Sequence, residues 1–255
     1  MSDEPRLRIA SFGGVGRATL ARPAVQNALD RQAVRELRQA LDEFEADGDV
    51  RAVLINGEGD HFCAGPDVKD LAATLDMTEG GEAEDTMALG RLFLGIRQMT
   101  KPVIAAVQGR VLAGGAGLAT ACDVVLARDD ALFGYPEVRL GTVPAIVMTM
   151  LRRSVGEKHA FDLVASGRLV KADEAERLGL VSRVLPAAAF NGEVERIVLG
   201  IASHSTRGMA YTKRLFYALD GLTFRDSIEE GVRTNLEARA AGEARDDDGR
   251  SRERA

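Results

Sequence analysis

The sequence has no block of lysine and arginine. Its 33 basic residues are scattered among 39 acidic ones, and the formal net charge is −6. Nothing here builds the basic face that nucleic-acid binding needs. An anionic small ligand stays open, because a few local cations and N–H groups suffice to hold one. Cysteine is scarce: Cys63 and Cys122 are the two, both in glycine- and alanine-rich surroundings. That excludes a disulfide framework and suits a reducing cytoplasm, the expected location. There are three histidines. His61 and Cys63 beside Asp67 form a single H-x-C pair without the remaining ligands of a zinc site. We therefore expect no metal, with His61 a loop residue and Cys63 a small core residue. No apolar run reaches transmembrane length, and the N-terminal MSDEPRLRIA lacks the apolar centre of a signal peptide. No membrane partner is expected.

What is present is an ordinary soluble composition, 45% apolar and 28% charged over 255 residues. That length can bury a large core, as one large domain or one domain with an appendage. Leu7–Phe12 and Val15–Leu20 read as strands of a hairpin around Gly13-Gly14. Asp30 is a good N-cap for a helix from Arg31 to near Gly48, with Val34, Leu37, Leu41 and Phe44 at helical spacing. Arg51–Asn56 reads as a buried strand. Gly57–Gly65 is a polar loop, and Asp67 can cap a short helix to Leu75. The acidic segment 78–85 reads as a lid or loose loop. Met87, Phe93, Leu94, Ile96 and Met99 give the next helix its apolar side.

The centre of the sequence is Lys101–Asp123, KPVIAAVQGRVLAGGAGLATACD. An apolar strand, Pro102–Val107, feeds a glycine-rich turn and an alanine-rich helix. Such a turn aims free backbone N–H groups at one point. Glycine lets the main chain approach a ligand closely. The stretch reads as a cradle for a phosphate or for an oxygen gaining charge. A dinucleotide fingerprint fits poorly: Thr120 stands at the third glycine position, and no acidic strand end follows about 20 residues on. An oxyanion hole fits if a second loop supplies another donor. After the cradle, 124–127 and 131–134 read as short strands, and 145–155 and 157–166 as helices. A small helix-strand return spans 173–185, and the chain from Ala187 reads as wholly helical. The alternation argues for stacked β/α units.

Three stretches, HFCAGPDVK, QGRVLAGGAGLATACDVVLA and LFGYPEVRLGTVP, together resemble the enoyl-CoA hydratase/isomerase (crotonase) family. The resemblance runs from RPAVQNAL at Arg22 to the helices before Ala240. It implies an α/β fold, a spiral of ββα units with a C-terminal helical oligomerisation region. Residues 1–195 would form the spiral core with the acyl-CoA site. Residues 196–242 would form the helical region that packs neighbouring copies into a homotrimer or hexamer. Residues 243–255 are charged and read as a disordered tail. The only coenzyme implied is coenzyme A, as part of the substrate.

The resemblance also implies the site. Gly114, the middle of the run Ala113-Gly114-Gly115, would be one oxyanion donor. The other would be the residue after Ala64-Gly65, which here is Pro66 and has no N–H. Gly65 or Asp67 would have to substitute, or the hole is one donor short. Hydratases of the family pair two glutamates. One falls in the YPE motif and is present as Glu137; the other position is Gly117. Asn27 and Ala28, with Ala64, Asp67 and Lys69 of the first loop, would shape the coenzyme A side. Tyr135, two residues from Glu137, would share its side of a strand. Ile146, in Pro144-Ala145-Ile146-Val147-Met148, would narrow the acyl pocket and exclude water. One carboxylate suffices to move a double bond, so the expected reaction is single-glutamate enoyl-CoA isomerisation. The alternatives are a hydratase with a substitute carboxylate from 76–85, or an acyl-CoA-binding protein without catalysis.

Overall fold

The computed structural model describes residues 6–65 and 79–246, with side chains for 6–65 and 87–242. Pro66, Asp67, Lys69 and the helix expected from Asp67 lie outside the described residues.

The hairpin strands β1 (Leu7–Phe12) and β2 (Val15–Leu20) pair antiparallel. Helix α1 (Arg31–Ala46) follows, capped by Asp30, whose Oδ1 accepts the Ala33 N–H at 2.7 Å. Strand β3 (Ala52–Gly57) leads into the first loop. Helix α2 (Glu79–Gln98), strand β4 (Val103–Val107), strand β5 (Arg110–Leu112) and helix α3 (Gly114–Ala121) come next. Strands β6 (Val124–Arg128) and β7 (Leu132–Gly134) precede a 3-10 turn at Pro136–Leu140. Helices α4 (Ala145–Val155) and α5 (Glu157–Ser166) follow it. Strand β8 (Leu169–Lys171), helix α6 (Ala172–Leu178), strand β9 (Arg183–Leu185) and helix α7 (Phe190–Ala202) complete the first unit.

Two sheets organise this unit. One has the order β1-β2-β3-β4-β6-β9 and is parallel beyond the hairpin; the other is β5-β7-β8. The chain alternates between them: β4 then β5 then α3, β6 then β7 then helices. These two passes each lay one strand in each sheet before a helix, which is the ββα unit of the spiral. Strand β4 is buried throughout. Its Val103, Ala105 and Val107 join the main core, while Ile104 and Ala106 face a second cluster under α7. A strand covered on both faces reads as a continuous apolar run, as VIAAV does.

Five expectations need correction. Residues 79–85 are not a loop, because α2 begins at Glu79. Leu92, Phe93 and Ile96 anchor that helix in the core, and acidic residues suit the positive end of the helix dipole. The segments 110–112 and 169–171, given no strand in the sequence reading, form β5 and β8, held by pairing to β7 rather than by any local pattern. Tyr135 and Glu137 do not share a strand; Tyr135 precedes the 3-10 turn that contains Glu137. The core unit ends at Ser203, not 195, because α7 runs unbroken and buries Phe190, Val194, Ile197, Val198 and Ala202 in the second cluster. Residues 243–246 belong to a helix rather than to a tail.

The second unit starts at His204 and is a pair of helices, α8 (Thr206–Ala218) and α9 (Phe224–Asp246). Thr223 Oγ1 accepts the Asp226 N–H and donates to its carboxylate. Phe216, Leu222, Phe224, Ile228, Val232 and Leu236 are exposed. Among the described residues, no helix is long and apolar enough to cross a membrane.

Candidate active site

The first loop is held from two directions. Asn27, 2% exposed, donates from Nδ2 to the carbonyls of Glu58 (2.9 Å) and His61 (2.7 Å). Its Oδ1 accepts the Arg22 N–H at 2.9 Å. Gln108 Nε2 donates to the carbonyls of Gly57 and Gly59 at 2.8 and 3.0 Å. Two further backbone bonds tie the loop to the segment 26–29, Ala64 N–H to Gln26 O at 3.0 Å and Leu29 N–H to Gly65 O at 2.8 Å. Asn27 and Ala28 are thus frame residues. The Asn27 amide bonds backbone groups of the loop, and Ala28 is buried with its carbonyl accepting from Arg22 Nη1.

The other side of the loop is zipped to β5. Phe62 N–H donates to Gln108 O, Cys63 N–H to Arg110 O, and Leu112 N–H to Cys63 O, at 2.8 to 3.1 Å. This brings Ala64-Gly65 against the cradle: a Cβ on Gly65 would lie 2.9 Å from Ala113 Cβ and 3.6 Å from Gly114 N. The two loops quoted from the sequence therefore meet. The Gly65 N–H itself points to Cys63 Sγ at 3.4 Å. It is already engaged within its own loop.

Ala113 turns the chain from β5 into α3 with φ +47° and ψ −122°, a conformation that costs an alanine about 1–3 kcal/mol. Its N–H is held by Gly134 O at 2.8 Å, and its carbonyl accepts the Gly117 N–H at 2.9 Å. Gly114 opens the helix, so its N–H has no intrahelical carbonyl to meet. Gly115 has no room for a side chain, since a Cβ there would lie 2.5 Å from Cys63 O and 2.7 Å from Cys63 Sγ. Cys63 is the packing block beneath the cradle. Burial pushes its thiol up to about 12, which keeps it protonated and not nucleophilic. His61 Nδ1 accepts the Arg110 N–H at 3.2 Å. Among the described residues no group of three His, Cys, Asp or Glu side chains could hold a metal.

Glu137 sits in the 3-10 turn, with its carbonyl accepting the Thr142 N–H (2.9 Å) and hydroxyl (3.1 Å). Its side chain is half-buried. Its Oε2 is out of contact with water and meets no hydrogen-bond donor among the described residues. Burial raises its carboxyl above the ordinary range. A carboxylate with one unpartnered oxygen and a raised proton affinity is suited to accept and return a proton. Tyr135, 1% exposed, places its hydroxyl 3.5 Å from Thr120 Oγ1. Burial pushes its phenol up, with the Glu137 charge adding to the effect.

Gly117 is buried, and a Cβ there would lie 2.4 Å from Val147 Cγ1 and 2.9 Å from the Phe93 ring. Ile146 is partly buried against the same core. Three residues of this neighbourhood escaped the sequence reading. Cys63 under Gly115, strained Ala113 and Phe93 over Gly117 look in the sequence like ordinary small or core positions. An alanine before two glycines was the one hint of a forced backbone.

A family profile described as enoyl-CoA hydratase/isomerase matches residues 11–230. A Thermus thermophilus relative, provisionally named an enoyl-CoA hydratase, is 38% identical over 234 residues, covering 92% of each chain. The crystal structure of a Mycobacterium smegmatis enoyl-CoA hydratase superposes with a TM-score of 0.87 at 32% identity, covering 91% of this chain and 90% of that one. An enoyl-CoA hydratase/isomerase from Marinobacter aquaeolei gives 0.85 at 30% identity, covering 91% and 90%. On sequence and fold alike, over nine-tenths of its length, this chain belongs to the enoyl-CoA hydratase/isomerase family.

Proposed function

We propose that the protein acts on an enoyl-CoA thioester through one carboxylate, shifting the double bond rather than adding water. The thioester oxygen is received by the Gly114 N–H, which stabilises the enolate formed when Glu137 removes a proton. Glu137 then returns the proton two carbons along. The observation that carries this reading is the Glu137 carboxylate, whose Oε2 is buried and unpartnered among the described residues, and whose proton affinity is raised by burial. A second observation supports isomerisation over hydration. Gly117, where the family's second glutamate would stand, lies under Val147 and Phe93, leaving no space there for a carboxylate.

The names of the relatives favour hydration. That reading needs a second carboxylate, and the start of α2 offers Glu79, Glu82, Glu84 and Asp85 in sequence. A panel of enoyl-CoA thioesters with mass-resolved products distinguishes the cases. An unchanged mass with a moved double bond supports isomerisation. Gain of one water supports hydration and refutes the single-carboxylate reading. Binding without turnover identifies a non-catalytic acyl-CoA binder. Acyl-CoA as ligand, cytoplasmic location and assembly of copies remain parts of this proposal.

A further inference from the structure

Gly114 and Gly117 stand three residues apart at the start of α3, so they share one face of that helix. The Gly117 part of this face is sealed. A Cβ there would come within 2.4 Å of Val147 Cγ1 and 2.9 Å of two Phe93 ring atoms. Phe93 is 1% exposed and Val147 4%, so both are fully packed. They arrive from separate helices, α2 and α4, each packed against α3. Interiors at this density admit no extra methylene without displacing side chains or backbone. Farther along the same pair of helices the packing relaxes. Leu89 and Ile146 are only partly buried, and a Cβ on Gly90 would find Ile146 Cδ1 at an ordinary 3.8 Å.

We propose that Phe93 and Val147 are the specificity-determining pair of the site, an apolar end wall beside the oxyanion donor that restricts the substrate to short, unbranched acyl chains. The inference rests on the acyl-CoA reading given above. An acyl group whose carbonyl oxygen lies at the Gly114 N–H cannot run along the α3 face past Gly117, because that volume holds the Val147 methyl and the Phe93 ring. A branch at the carbon next to the carbonyl meets the same wall. The pair also accounts for glycine at 117, since these two side chains require the space that any other residue would need.

The test is calorimetric binding of butyryl-, hexanoyl- and octanoyl-CoA, saturated thioesters that have no double bond to react. Wild type, Val147→Ala and Phe93→Leu are compared. In wild type, affinity should fall as the chain lengthens. In the two variants the longer thioesters should gain about fourfold for each methylene newly accommodated. Wild-type-like ordering in both variants, with native circular dichroism, overturns the pair. If wild type binds none of the three thioesters, the acyl-CoA reading falls and the pair with it; binding without a shift in the variants sinks the pair alone. The geometry has its own check. Gly117→Ala should lower the thermal midpoint in wild type and lower it much less in a Val147→Ala background. Equal losses in both backgrounds would mean that Val147 does not close over Gly117.

Discussion

A half-buried carboxylate with one oxygen out of reach of water and of donors among the described residues is costly to keep ionised, and Glu137 makes that cost measurable in two ways. The first is activity. Glu137→Gln keeps the shape but cannot take a proton, so turnover should fall by about 10²–10⁴ while thioester affinity changes little. Steady-state rates beside calorimetric binding separate the two effects, and unchanged turnover would remove Glu137 from the mechanism. The second is stability. Burial raises the Glu137 carboxyl in the native state, so the native protein keeps its proton to higher pH than the unfolded chain. The resulting stabilisation is full below the unfolded value, about 4.3, and is lost as pH rises through the native value. Glutamine carries no such charge. Glu137→Gln should therefore be more stable than wild type near neutral pH, and the gap should close at about pH 4 and below. Thermal midpoints of both proteins across that range decide it.

At the scale of elements, the site depends on a frame made by one side chain. Asn27 ties the segment 22–27 to the first loop by two bonds to loop carbonyls, and a third, from the Arg22 N–H, holds its amide within the segment. Removing it leaves the part-buried Glu58 and His61 carbonyls and the Arg22 N–H short of a partner. Asn27→Ala should cost about 1–3 kcal/mol of folding stability, read from denaturant midpoints. Restoration by Asn27→Gln should be poor, because the longer amide cannot reach all three groups from the same backbone. The sequence identified this segment as a turn before a helix cap, and Asp30 does cap α1. It could not show that Asn27 organises a loop more than 30 residues away. Hydrogen-bond partners distant in sequence leave no periodic trace. Strand β5 leaves none either, although it zips the first loop to the cradle.

At the scale of the molecule, the helical unit beginning at His204 presents more apolar surface than two helices can bury. Phe224 is 85% exposed and Phe216 68%, with Ile228, Val232 and Leu236 beyond half. A surface of this kind calls for a protein partner. We expect it to be covered by other copies of the chain, so sedimentation should report a trimer or hexamer. A stable monomer at micromolar concentration would contradict this. The Phe224→Asp variant should move the distribution toward monomer.

Amino-acid order alone determined the local elements and the chemistry on offer. Apolar runs bounded by glycine gave the long strands, helical spacing gave α1, and the resemblance carried by the YPE and glycine-rich motifs implied Glu137 and Gly114. These features depend on neighbours within a few residues, which is the range over which sequence patterns carry information. Tertiary structure decided what those groups can do. It buried Glu137 Oε2 away from donors, engaged the Gly65 N–H with Cys63, and set Phe93 and Val147 over Gly117. It also wound the strands into two sheets without any sequence repeat. Except for the Gly65–Cys63 contact, which lies within one loop, these outcomes depend on the packing of segments far apart in the chain, where solvent exclusion and contact distance act.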